Sequence, residues 1–247
     1  MPSEISTIIF SKNRACQLEL LLHSLDLSAT VLYTCDPEFQ SGYDKLFEMY
    51  PEVVFLRETD FHNQVISLIQ RPYILFLVDD DFMLEPFTED CPEFTEFKQN
   101  TDLISLSLRL APDYHEAPTM INNTWPWRGL KHDWGYPMSV SAHIFRREDI
   151  LPIMKRKSFS MPNDLEVALR KNPPAKDLML CRDRANFINN STNQVQFKYN
   201  SKHLGLSAHD INDKFLAGYR ISLEDIRAKA KEAKSCFLMT DYQYEIY

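Results

Sequence analysis

An unbroken apolar run, Tyr73, Ile74, Leu75, Phe76, Leu77 and Val78, ends abruptly in Asp79, Asp80 and Asp81. A half-exposed strand would alternate, so a run this continuous predicts a strand covered on both faces, as at the centre of a parallel sheet. In open α/β sheets ligands gather beyond the carboxyl ends of the strands. Three carboxylates placed there are aimed at a binding crevice.

The residues around this run repeat a strand-helix alternation. Residues 5–10 are a β-branched strand, and residues 16–27 carry Leu18, Leu21, Leu22 and Leu25 at helical spacing. Residues 31–34 form a second strand, stopped by Pro37; Ser41 with Asp44 predicts a capping box for a helix through Tyr50. Residues 53–56 are a third strand, and Asp60 is placed to cap a helix with Val65, Leu68 and Ile69 on one face. The second half is less regular, with strands over 103–108 and 139–145, an aromatic stretch over 125–136, helices over 147–155 and 163–171, and a charged helix over 222–234. The pattern predicts an α/β fold with a mostly parallel central sheet and helices on both faces.

At 247 residues, 44% of them hydrophobic, the chain closes one sizeable core. No run approaches the roughly 18 apolar residues of a membrane helix, and no export signal opens the sequence, so a soluble, cytoplasmic protein is expected. The five cysteines are odd in number and lack a C-x-x-C pair, which predicts reduced thiols. Sequons begin at Asn122, Asn189 and Asn190 and carry no weight without export. A net charge of −8 argues against a nucleic-acid binder and favours a divalent cation.

Three adjacent carboxylates repel one another, and a hard divalent ion bridging to phosphate oxygens keeps such a group ionised. Alternation along an extended chain would send Asp79 and Asp81 to one side as a D-x-D pair and leave Asp80 for the ribose or sugar. The competing reading is a solvated acidic turn.

The segment Thr7 to Arg14 before the leucine-rich helix, Asp36 after the second strand, the helix bearing Asn63 and residues 73–81 resemble, in that order, the nucleotide-binding half of GT-A glycosyltransferases, particularly family-2-like members. The likeness continues more loosely through residues 141–147 and 162–166. It implies a GT-A domain over 1–212, with a nucleotide-binding half over 1–100 and an acceptor half over 101–212, and leaves 213–247 as a C-terminal helical extension. It also implies that Ser11, Asn13, Arg14 and Asp36 hold the nucleoside diphosphate, helped by Asn63, Asp79 and Asp80. Arg14 suits phosphate because its planar fork binds it in bidentate fashion. Ser11 and Asn13 equally suit helix capping, and Asp36 an Asx turn before Pro37. By the same likeness Mn²⁺ or Mg²⁺ would be held by Asp79, Asp81 and His203.

Transfer with inversion needs a carboxylate to take the acceptor proton. Asp164 matches the family position, Asn163 departs from its acidic pattern, and Glu166 is the rival; simple helix capping would explain the same residues without catalysis. Trp127 and Trp134 are the candidate acceptor contacts, though large aromatics are also ordinary core residues. The expected partners are a nucleotide diphosphate sugar and a glycan or glycoconjugate acceptor. A nucleotidyltransferase is disfavoured because the chain has five glycines and no glycine-rich phosphate loop. A metal-dependent phosphohydrolase would release phosphate without any sugar acceptor, and a non-catalytic nucleotide-sugar-binding module would keep the fold without the chemistry.

Overall fold

The structure, a computed structural model, describes residues 3–196, 198–199 and 202–247. The chain opens with strand β1 (Ile5–Lys12), helix α1 (Ala15–Ser24), β2 (Thr30–Thr34), α2 (Gln40–Met49), β3 (Val54–Arg57) and α3 (Phe61–Leu68). It continues through β4 (Tyr73–Val78), β5 (Asp81–Met83), α4 (Pro92–Gln99), β6 (Leu103–Ser107), β7 (Thr124–Pro126), β8 (His143–Arg146), α5 (Arg147–Arg156) and α6 (Pro162–Arg170). The last elements are β9 (Leu178–Cys181), β10 (Phe187–Asn190), α7 (Ala208–Leu216), β11 (Tyr219–Ile221), α8 (Leu223–Ala233), β12 (Phe237–Leu238) and β13 (Tyr244–Ile246).

One eight-stranded sheet, in the order β3-β2-β1-β4-β8-β6-β9-β7, forms the body of the α/β fold. Strands β3, β2, β1 and β4 run parallel, and β8 joins them antiparallel. The six apolar residues before the aspartates are β4, in the middle of this sheet. Its alternate residues feed two separate cores. Leu75 and Leu77 join one with α1, α2, α4, α7 and α8, while Ile74 and Phe76 join the other with α3, α5 and α6. Each such buried side chain stabilises the fold by roughly 1.5–3 kcal/mol, which is why the whole run must be apolar.

Three expectations need correction. Ser41 lies inside α2, which continues a 3-10 turn over Pro37–Phe39 and has no side-chain cap, so no capping box forms. Strand β1 does not end at residue 10 but runs on to Lys12, bringing Ser11 and Lys12 into the sheet. The stretch after 212 is no helical appendage: β12 pairs with β10, and Phe215, Ile226, Leu238 and Tyr242 are buried in the same core as α1. By contrast Asp60 does cap α3, accepting from the Asn63 backbone N–H at 3.1 Å. All five cysteines are free and buried, and among the described residues no helix is long and apolar enough to cross a membrane.

Candidate functional site

A cleft of about 790 Å³ opens at the carboxyl ends of β1, β2, β3 and β4. Parallel register puts Lys12 beside Thr34 and Phe10 beside both Leu32 and Val78, so alternation aims Phe10, Lys12, Leu32, Thr34 and Val78 to one face. Glu58, just past β3, holds its N–H on the Tyr33 carbonyl and extends this row. All of these residues line the cleft, with Phe61 from the first turn of α3. Burial raises the Glu58 carboxyl's pKa, opposed by nearby Lys12.

After β4 the chain turns, so the three carboxylates do not alternate as an extended strand would. The Arg14 guanidinium bridges two of them, its Nη1 lying 3.0 Å from Asp79 Oδ1 and 2.9 Å from Asp80 Oδ2. Its Nε donates to Asn193 Oδ1 at 2.8 Å. Asp79 also accepts the Lys12 backbone N–H at 2.9 Å. Burial pushes the Asp79 pKa up against the pull of Arg14.

Asp81 faces inward. Its Oδ1 accepts from the Ser141 hydroxyl at 2.8 Å and from Asn189 Nδ2 at 2.9 Å, and its Oδ2 accepts from the Val78 N–H at 3.0 Å. Burial, reinforced by the Asp80 charge, pushes its pKa up to about 7 despite these bonds. Asn189 also donates to Asp80 Oδ1 at 2.8 Å, so one amide ties two carboxylates together. Asn189 is buried as well and cannot serve as a surface sequon.

Of the residues singled out in the sequence, Ser11, Arg14, Asp79, Asp80, Asn163 and Glu166 meet in this cleft. The others lie elsewhere. Asn13 and Asp36 clasp each other, with Asn13 Nδ2 donating to Asp36 Oδ2 at 2.6 Å. The Asn63 side chain is spent on the α3 cap, donating to Asp60 Oδ2 at 2.7 Å. Trp134 is a core residue stacked edge-on against Trp125, and Trp127 donates its indole N–H to the Lys176 carbonyl at 3.0 Å. Neither tryptophan reaches the cleft; His132 and Tyr136 from the same aromatic stretch do.

The two candidate bases are clearly separated. Asp164 is outside the cleft lining, and although burial raises its pKa, hydrogen bonds from Lys198, Tyr199 and Ser160 outweigh that and hold it at about 2. A carboxylate so strongly stabilised as the anion is a weak base. Glu166 lines the cleft; its Oε1 accepts the Val140 N–H at 3.1 Å.

The expected metal ligands do not converge. Both oxygens of Asp81 are occupied, His203 Nδ1 accepts the Gly205 N–H at 3.0 Å outside the cleft lining, and Arg14 sits where a cation shared by Asp79 and Asp80 would go. Among the described residues no three His, Cys, Asp or Glu side chains gather to hold a metal ion. In this arrangement Asp79, Asp81 and His203 are not gathered as ligands of one ion.

Arg109 was not singled out in the sequence, yet it is buried in the cleft wall, paired with Asp133, and its Nε has no partner among the described residues. Its plane lies over the Phe237 ring, 4.7 Å from the centroid. Asn189, Asn193 and Ser141 were equally overlooked as contacts of the carboxylates. Only long-range pairing brings them there, as where β10 runs antiparallel to β5 and sets Asn189 opposite Asp81.

No family model matches the chain. It is 25% identical over 210 residues to "Bifunctional glycosyltransferase pgtA" of Dictyostelium discoideum, a match that covers 66% of this chain and 27% of that protein. The chain thus spans about a quarter of that relative's length. Among solved structures it is similar to TarS of S. aureus in complex with UDP, at 13% identity and TM-score 0.47, covering 77% of this chain and 61% of the other. It is also similar to a glycosyltransferase involved in glycosylation of the major capsid of PBCV-1, at 10% identity and TM-score 0.34, covering 86% and 99%.

Proposed function

We infer that this chain is a glycosyltransferase of the GT-A type, moving a sugar from a nucleotide diphosphate sugar to a hydroxyl of a glycan or glycoconjugate acceptor. The observation that carries this reading is the cleft at the strand ends, which holds two guanidiniums, the buried Arg109 and the half-buried Arg14, together with the carboxylate of Glu166. The sequence likeness to a bifunctional glycosyltransferase supports it.

In this reading the guanidiniums and Lys12 face the diphosphate, where fixed positive charge stabilises the leaving group without reorganisation. Glu166, oriented by the Val140 N–H, takes the acceptor proton through its other oxygen. The acceptor oxygen bonds to the anomeric carbon, the bond from that carbon to the diphosphate breaks, and the configuration inverts. Glu166, rather than Asp164, serves as the base because it reaches the cleft and is not saturated with donors.

The test is release of nucleoside diphosphate from a panel of nucleotide sugars, with product anomers read by NMR. Turnover of at least one donor by the wild type, lost in Glu166→Gln, supports the reading; binding without turnover would favour the non-catalytic module. Dependence on Mn²⁺ or Mg²⁺ is a separate proposal settled by running the assay in chelator. Activity restored only by added ion supports it, and full activity in chelator discards it.

A further inference from the structure

Which base the cleft accepts is decided at the end away from Arg14, and that end has chemistry of its own. Lys12, Thr34 and Glu58 form a polar row across β1, β2 and the end of β3, with Phe10 and Leu32 one step deeper on the same face. Phe61 closes the end of the row, its ring centroid 5.3 Å from that of Phe10. Three inter-strand steps of about 4.8 Å separate the strand bearing Glu58 from the one bearing Asp79 and Asp80, roughly 14 Å in all. That is a span an extended nucleoside diphosphate covers. With the diphosphate at Arg14, the apolar floor of Phe10, Leu32 and Phe61 takes the base, and Glu58 meets the base edge.

The Glu58 carboxylate has no hydrogen-bond or ion-pair partner among the described residues, so it is free to bind a ligand. An ionised carboxylate only accepts hydrogen bonds, and its two oxygens suit two parallel N–H donors. Guanine alone among the common bases offers such a pair, at N1 and the 2-amino group. Uracil presents one N–H between two carbonyls, and adenine and cytosine set their amino group beside a ring acceptor, which a carboxylate oxygen would repel.

Resting on the donor reading above, we propose that Glu58 makes this site selective for guanine, so that the donor is a GDP-sugar. Lys12, two strands away in the same row, stays on the diphosphate side of the base.

The test is calorimetric binding of GDP, IDP, UDP and ADP to the wild-type protein and to Glu58→Gln. A charge-assisted pair of hydrogen bonds predicts GDP at least about tenfold tighter than UDP or ADP. IDP, which lacks the 2-amino group, should fall between them, a comparison that needs no variant. In Glu58→Gln the preference should collapse while UDP affinity stays within about threefold. UDP or ADP binding as tightly as GDP, or equal weakening of every nucleotide in the variant, overturns guanine selection and leaves the transferase reading intact. Failure of every nucleoside diphosphate to bind overturns both.

Discussion

At the scale of single residues, the aspartate cluster behaves as three different groups. Asp81 is buried with its pKa pushed up to about 7, so the folded state holds a proton that the unfolded chain gives up near pH 4. Stability from that proton is complete below the unfolded pKa and is lost as pH rises through about 7. His143, held neutral until about 3 by burial and by Arg109, pulls the other way below its ordinary range. The contribution of Asp81 is therefore isolated by difference: between pH 5 and 8 the wild-type Tm should fall relative to that of Asp81→Asn. Parallel Tm curves would remove the raised pKa from the explanation. At the other wall of the cleft, Glu166→Gln should lower kcat by about 10²–10⁴-fold with donor affinity unchanged. Asp164→Asn, outside the cleft lining, should cost less than about tenfold by the same measure. The reverse order would return the base to Asp164.

At the scale of elements, the sequence was legible where a local signal sufficed. The apolar run of β4, the leucine stripe of α1 and the Asp60 cap of α3 all stood where periodicity and capping chemistry put them. The capping box at Ser41 failed because Pro37 starts the turn four residues earlier and the helix simply continues it. Nothing local marked Arg109 or Asn189, whose place in the site depends on pairings between β10 and β5 and on the β6 end meeting the 139–142 bend. Helix packing near the site gives a further check. A Cβ at Gly42 in α2 would lie 2.4 Å from Asn212 Oδ1 and 2.8 Å from the Ala15 Cβ, so α2 approaches α1 and α7 only because that residue is glycine. Gly42→Ala gains about 1 kcal/mol of helix propensity but meets an overpacking cost of about 1–3 kcal/mol. A net Tm decrease of a few degrees is expected by calorimetry, and an increase would mean that α2 can shift freely. Such a shift would also reach the cleft, since the next residue, Tyr43, hydrogen-bonds Ser11 Oγ at 2.7 Å.

At the scale of the whole molecule, one sheet face ends in a single cleft whose chemistry changes along its length, from the apolar floor and Glu58 to the guanidiniums and aspartates. The C-terminal stretch belongs to this body: Phe237 lies under Arg109, and Tyr242 is buried beside Thr192 with their hydroxyls 3.3 Å apart. A second depression, at Arg146, Arg147 and Leu151, lies elsewhere on the protein. Hydrogen exchange read by mass spectrometry, with and without a saturating nucleotide diphosphate sugar, locates the donor directly. Protection is expected at residues 10–14, 58–61 and 79–81 together, because one ligand spans all three strand ends. Protection confined to the depression near Arg146, or none at those strand ends while the donor is demonstrably bound, would contradict the placement of the donor in this cleft.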